Sequence, residues 1–112
     1  MKAFLFLFLG RINRDKGIDE LIFAFSSLQY VANSAYLMLV GPEEDDVLNS
    51  HKELLSDFGD HYIRKGYTST PQVYMAAADV FCLPSHREGF GSVILEAAAT
   101  GTPAIGSNIY GI

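Results

Sequence analysis

Ala3 to Leu9 is an unbroken apolar run stopped by Gly10. A short run without polar alternation predicts a strand covered on both faces, as in a parallel sheet. From Asp19 to Leu28 the apolar positions become Leu21, Ile22, Phe25 and Leu28, which trace one face of a helix. Tyr36 to Val40 is a second apolar run, ended by Gly41-Pro42. Glu43 to Asp46 then lead into Val47, Leu48, Leu54, Leu55 and Phe58, a second predicted helix closed near Gly59. Acids in its first turn would favour the helix dipole. Tyr62 to Lys65 is a short strand candidate before Gly66. Thr70-Pro71 reads as a cap with proline at the first helical position of a brief helix, Gln72 to Ala78. Val80 to Leu83 predicts another buried strand stopped by Pro84. Ser92 to Thr100 predicts an Ala-rich helix ending at Gly101, and Thr102 to Ile105 a last strand.

Strands alternate with helices, without a hairpin signal, linker or repeat. The predicted fold class is therefore α/β, a doubly wound parallel sheet of Rossmann-like type with about five strands. Ligands of such sheets bind beyond the carboxyl ends of the strands. That directs attention to Gly10–Gly17, Gly41–Asp46, Lys65–Pro71, Pro84–Gly91 and Gly106–Ile112.

Composition sharpens this picture. The 112 residues suit one domain, and 49% apolar against 19% charged residues excludes a disordered segment. The net charge of −5 makes nucleic acid an unsuitable partner. Four acids, Glu43 to Asp46, carry most of it: without them eight cations face nine acids. They lack the alternating ligand spacing and glycine of a calcium loop, so a solvated loop or helix start is expected there. Cys82, the single cysteine, lies in an apolar run and reads as an inert core thiol. The seven-residue opening run is too short to span a bilayer, and no small-residue cleavage site follows it.

Two segments carry candidate chemistry. In Gly10-Arg11-Ile12-Asn13-Arg14-Asp15-Lys16-Gly17 the glycines allow tight turns, while Arg11 and Lys16 supply two cations beside a helix start. An Arg fork, a Lys point charge and free amides suit a diphosphate. The glycine spacing is neither a Rossmann Gly-x-Gly-x-x-Gly nor a P-loop. In Pro84 to Glu96, Gly89 and Gly91 leave backbone amides accessible where a helix begins. Glu88 lies just before that start and Glu96 about two turns in. A carboxylate in an apolar helix is costly to bury unpaired, and two vicinal ribose hydroxyls would satisfy it. By itself the sequence favours an exposed Glu96 with ordinary helix propensity.

Taken together, Gly-Arg-x4-Lys-Gly after the first strand, Gly-Pro after the second and Glu-x7-Glu around Gly-Phe-Gly after the fourth resemble one family. It is the retaining glycosyltransferases of group 1, or family 4, whose two-domain architecture is called GT-B. The resemblance runs from Phe6 to about Ile105. It implies that residues 1–112 are a carboxyl-terminal, sugar-nucleotide-binding domain, incomplete and without its acceptor domain. Arg11 and Lys16 would hold the diphosphate, with Gly10 at the turn. Glu88 would contact the transferred sugar. Gly89, Phe90, Gly91 and Ser92 would bind sugar and phosphate through the helix start, and Glu96 would hold the ribose. The catalytic set would be Glu88, Arg11 and Lys16. The base would sit near Arg64 to Tyr67, where the sequence is least typical of the family.

The resemblance further implies a sugar nucleotide as donor substrate, with no cofactor and no metal. A glycan or lipid-linked acceptor would bind through the missing domain, in polysaccharide or glycolipid biosynthesis. The location would be cytoplasmic, with peripheral association at the inner face of the membrane open to the full-length protein. A non-catalytic nucleotide- or sugar-binding module is the alternative. His86 invites either a general-base or a pocket-shaping role, and Tyr67 either base stacking or packing. His51 and His61 sit near polar residues and are expected at the surface, and no Cys or His spacing suits zinc.

Overall fold

The computed structural model describes residues 3–32, 34–83 and 104–106. Five strands, β1 (Phe4–Leu9), β2 (Ala35–Val40), β3 (Tyr62–Lys65), β4 (Val80–Leu83) and β5 (Ala104–Gly106), form one sheet in the order β3-β2-β1-β4-β5. Every pairing is parallel. Among the described residues the α-helices are α1 (Ile18–Val31), α2 (Lys52–Phe58) and α3 (Pro71–Ala77). The helix expected over Ser92–Thr100 lies outside the described residues. Among the described residues, no helix is long and apolar enough to cross a membrane.

β1 is continuously apolar because both its faces are covered. Phe8 is buried with Leu37, Leu39, Ile18, Ile22 and Phe25 under α1 and α2. Its neighbour Leu7 is buried on the opposite face with Val40, Met75 and Phe81, under α3. Successive side chains of a strand point to opposite faces, so one central strand feeds both cores. On α1, Ile18, Leu21, Ile22 and Phe25 all pack into the first of these cores, the spacing of one helical face. Cys82 lies in that core too, and burial pushes its thiol up to about 11. It is a protonated, weak nucleophile at neutral pH, as the sequence indicated.

Three local expectations are corrected. The helix after β2 does not begin at the acids: Val47 is buried in a loop, a 3-10 turn covers Asn49–His51, and α2 starts only at Lys52. Glu43 to Asp46 are thus no first helical turn. The Glu43 carboxylate accepts from the Leu48 amide at 3.0 Å, and Glu44 N–H donates to the Ile12 carbonyl, bonds that compete with a helix. Thr70 is the N-cap residue of α3 and Pro71 opens the helix, as expected, but the Thr70 side chain makes no capping bond; its hydroxyl lies 3.3 Å from that of Thr68. Nor are His51 and His61 free surface groups; both are part-buried and bonded. His51 is only 11% exposed and sits 2.5 Å from Asp19 Oδ1. His61 donates from Nδ1 to the Ala35 carbonyl at 2.9 Å and stacks on Tyr36.

Candidate functional site

In this strand order β2 and β3 lie to one side of β1, and β4 and β5 to the other. The order reverses between β1 and β4, and open α/β sheets bind ligands in the crevice beyond the carboxyl ends at such a point. Gly10–Gly17 leaves β1 at that place. Phe6 pairs with Val80 and Leu7 with Phe81, so continuing the register brings Leu83 level with Leu9. The chain therefore leaves β4 beside the start of the glycine–cation loop. Glu88, Gly89, Phe90, Gly91, Ser92 and Glu96, together with His86, lie outside the described residues.

The loop after β1 is built on backbone bonds to its neighbour. Gly10 N–H donates to Val40 C=O at 2.9 Å, and Ile12 N–H to Pro42 C=O at 2.8 Å. Ile12 also forms a parallel bridge with Glu43 and is fully buried. The two loops touch so closely that a Cβ at Gly41, whose φ is 139°, would lie 1.8 Å from the Gly10 carbonyl oxygen. The contact requires a glycine at position 41, and Gly10 is required by its own backbone, at φ 147°.

Beyond Ile12 the loop tightens into a 3-10 turn, Arg14–Lys16. Asn13 directs it: its Oδ1 accepts from the Lys16 amide at 3.0 Å. Gly17, at φ 78° and ψ 25°, ends the turn and starts α1. Arg11 and Lys16 are thereby fixed on one loop at the head of a helix, as the sequence placed them. Arg11 is 64% exposed, whereas Lys16 is half-buried.

Sequence reasoning missed the partner of this loop. The acids after β2 fold back onto it. Asn13 Nδ2 donates to Glu44 Oε1 at 2.8 Å, and Arg11 lies 3.7 Å from Glu44 Oε2. Arg14 N–H donates to Asp45 Oδ2 at 2.9 Å, and its guanidinium reaches the Asp45 carbonyl, Ser50 Oγ and Asp19. Arg14 is therefore a fastener between β1, the acidic loop and α1. The available signal was charge: a loop with three cations follows one strand, and a run of four acids follows the strand that pairs with it.

At the end of β3 the Arg64 guanidinium turns back on backbone, donating to the Leu39 and Lys65 carbonyls. Tyr67 is 80% exposed, which removes the packing alternative for it. Burial pushes the Tyr62 hydroxyl up; Arg64 opposes this and Glu43 adds to it. Among the described residues, no group of three or more His, Cys, Asp or Glu side chains could hold a metal ion.

The chain resembles known proteins over nearly its whole length. It is 32% identical over 109 residues to the capsular polysaccharide biosynthesis glycosyltransferase CapM of Staphylococcus aureus, covering 96% of this chain and 29% of that protein. It is 40% identical over 110 residues to the mannosylfructose-phosphate synthase of Agrobacterium fabrum, covering 88% and 24%. It thus spans about a quarter to three tenths of these relatives. Among solved structures, the Anabaena protein HepE in complex with UDP-glucose superposes with a TM-score of 0.85 at 25% identity, over 97% of this chain and 31% of that one. WaaG, a glycosyltransferase involved in lipopolysaccharide biosynthesis, superposes at 0.84 with 26% identity, over 98% and 30%. The parallel, Rossmann-like sheet, one half of a GT-B architecture, is the fold shared with these solved structures. The model of the family described as glycosyl transferases group 1 matches residues 1–112, and the chain belongs to that family.

Proposed function

We propose that residues 1–112 form the donor-binding, carboxyl-terminal domain of a retaining, family 4 hexosyltransferase. The observation that carries this reading is the pair Arg11 and Lys16, held on a glycine-bounded loop at the carboxyl end of the central strand, where the strand order reverses. A sugar nucleotide leaves a diphosphate as its glycosidic bond breaks. A guanidinium and an ammonium carried on one such loop stabilise that growing charge as it forms. They take the neutralising part that a divalent metal plays elsewhere. In this reading Glu88 contacts the transferred sugar, the helix start at Gly89 to Ser92 binds sugar and phosphate, and Glu96 holds the ribose hydroxyls. Exposed Tyr67 is available to stack on the base. HepE, solved with UDP-glucose, supports a nucleoside diphosphate sugar as donor. CapM, in capsular polysaccharide biosynthesis, and WaaG, in lipopolysaccharide biosynthesis, support a glycan or lipid-linked acceptor. In this reading a further domain takes that acceptor, and synthesis is cytoplasmic, at the inner face of the membrane.

Calorimetric titration with UDP and GDP tests the assignment. One of them binds, and substituting both Arg11→Ala and Lys16→Ala weakens it at least about tenfold, since each charged hydrogen bond is worth about 1.5–3 kcal/mol. In the whole protein the same pair of substitutions abolishes sugar transfer. Diphosphate binding that survives both substitutions overturns the assignment.

A further inference from the structure

We infer that Glu44 is an internal competitor for Arg11, a carboxylate that the donor's diphosphate must displace and that rebinds Arg11 as the nucleotide leaves. The inference rests on the donor-binding reading above and adds a residue that the diphosphate motif does not contain. Glu44 is fixed at its backbone by the bond from its N–H to the Ile12 carbonyl at 3.0 Å. Its two carboxylate oxygens are divided. Oε1 accepts from Asn13 Nδ2 at 2.8 Å, and Asn13 in turn accepts from the Lys16 amide, so this half supports the loop. Oε2 lies 3.7 Å from Arg11 Nη1, with 39% of the Glu44 and 64% of the Arg11 side chain exposed.

An exposed pair at that distance is weak, and a diphosphate with higher charge and two-point geometry exchanges with it readily. This competition lowers affinity and quickens release. Arg14 does not behave this way, because its backbone amide and its guanidinium are bound to several groups at once.

Glu44→Gln is the discriminating variant. Its amide oxygen can keep the Asn13 bond, while its NH2 replaces the oxygen that faces Arg11. Calorimetry with UDP, inorganic diphosphate and uridine on this chain, at low salt, reads the result. UDP and diphosphate are expected to bind about two- to fivefold more tightly in the variant, the range set by an exposed ion pair, with uridine unchanged. The gain shrinks at 0.5 M salt and vanishes in an Arg11→Ala background. Unchanged or weaker UDP binding by a folded Glu44→Gln, or a gain that persists without Arg11, overturns the proposal. If Glu44→Gln does not fold, Glu44→Asp serves: its shorter side chain withdraws the charge from Arg11, and equal or weaker UDP binding overturns the proposal likewise. These outcomes stand apart from the donor-site test, since failure of UDP to bind the unsubstituted chain removes the donor-binding reading itself.

Discussion

The two ends of the sheet use the same residue types for opposite purposes. At the amino end, polar side chains close backbone. The Asp79 carboxylate accepts from the Leu5 amide at 2.7 Å while its own N–H donates to the Leu5 carbonyl at 2.9 Å, tying the start of β4 to β1. His61 likewise ties the start of β3 to that of β2 through the Ala35 carbonyl. At the carboxyl end, charges also meet charges in the open: Arg11 faces Glu44, and Arg14 faces Asp45 and Asp19. A bond to a partly buried backbone group has no better partner, so it is structural. An exposed ion pair is worth about 0–1 kcal/mol and can be exchanged for a ligand. The difference shows how one sheet can be closed at one end and receptive at the other.

The sharpest way to break this comparison is at Gly41, where receptive loops rest on rigid backbone contact. Gly41→Ala combines a strained φ with overlap against the Gly10 carbonyl. We expect a loss of roughly 3 kcal/mol or more, read as a collapse of the urea midpoint by circular dichroism. A variant with the original midpoint would mean that the loops after β1 and β2 move independently. Next in size is Asp79→Ala, which leaves the Leu5 amide without its acceptor and costs about 1–3 kcal/mol. Nucleotide affinity should not change, because Asp79 lies at the far end of the strands. Weaker UDP binding by a folded Asp79→Ala would erase the division between the two ends.

The frame of the molecule was readable from the chain because its causes are local. An unbroken apolar run means a strand buried on two faces, and Phe8 and Leu7 do enter separate cores. Ile22 and Phe25 keep helical spacing, and Gly10 and Gly41 mark the strand ends. Arg11 and Lys16 were placed on their loop by position alone. What escaped the sequence depends on contacts between distant segments. Glu43 to Asp46 read as a solvated loop or a helix start, and they form a loop; nothing in 43–58 discloses that Asn13 and Arg14, 31 residues away, are the groups that hold Glu44 and Asp45. His51 looked exposed for the same reason, its partner Asp19 lying 32 residues earlier.

The smallest expected effect separates two arginines three positions apart on one loop. Arg11 and Arg14 are indistinguishable in composition, and both pair with acids from the loop after β2. Arg14 differs in being bound from several sides: its N–H to Asp45 Oδ2, and its guanidinium to the Asp45 carbonyl, Ser50 Oγ and Asp19. The backbone bond survives truncation, so Arg14→Ala removes only half-exposed side-chain contacts. The cost should be about 1 kcal/mol, or about 4 °C in the melting temperature of a domain this size. UDP affinity should fall less than twofold, against the much larger loss for Arg11→Ala. If the two substitutions weaken UDP equally, Arg14 also serves the diphosphate, and the loop carries three binding cations. If Arg14→Ala spares both stability and binding, the acidic loop is held by Ile12, Asn13 and the Arg14 amide alone, and charge pairing at this end of the sheet is dispensable even for its own architecture.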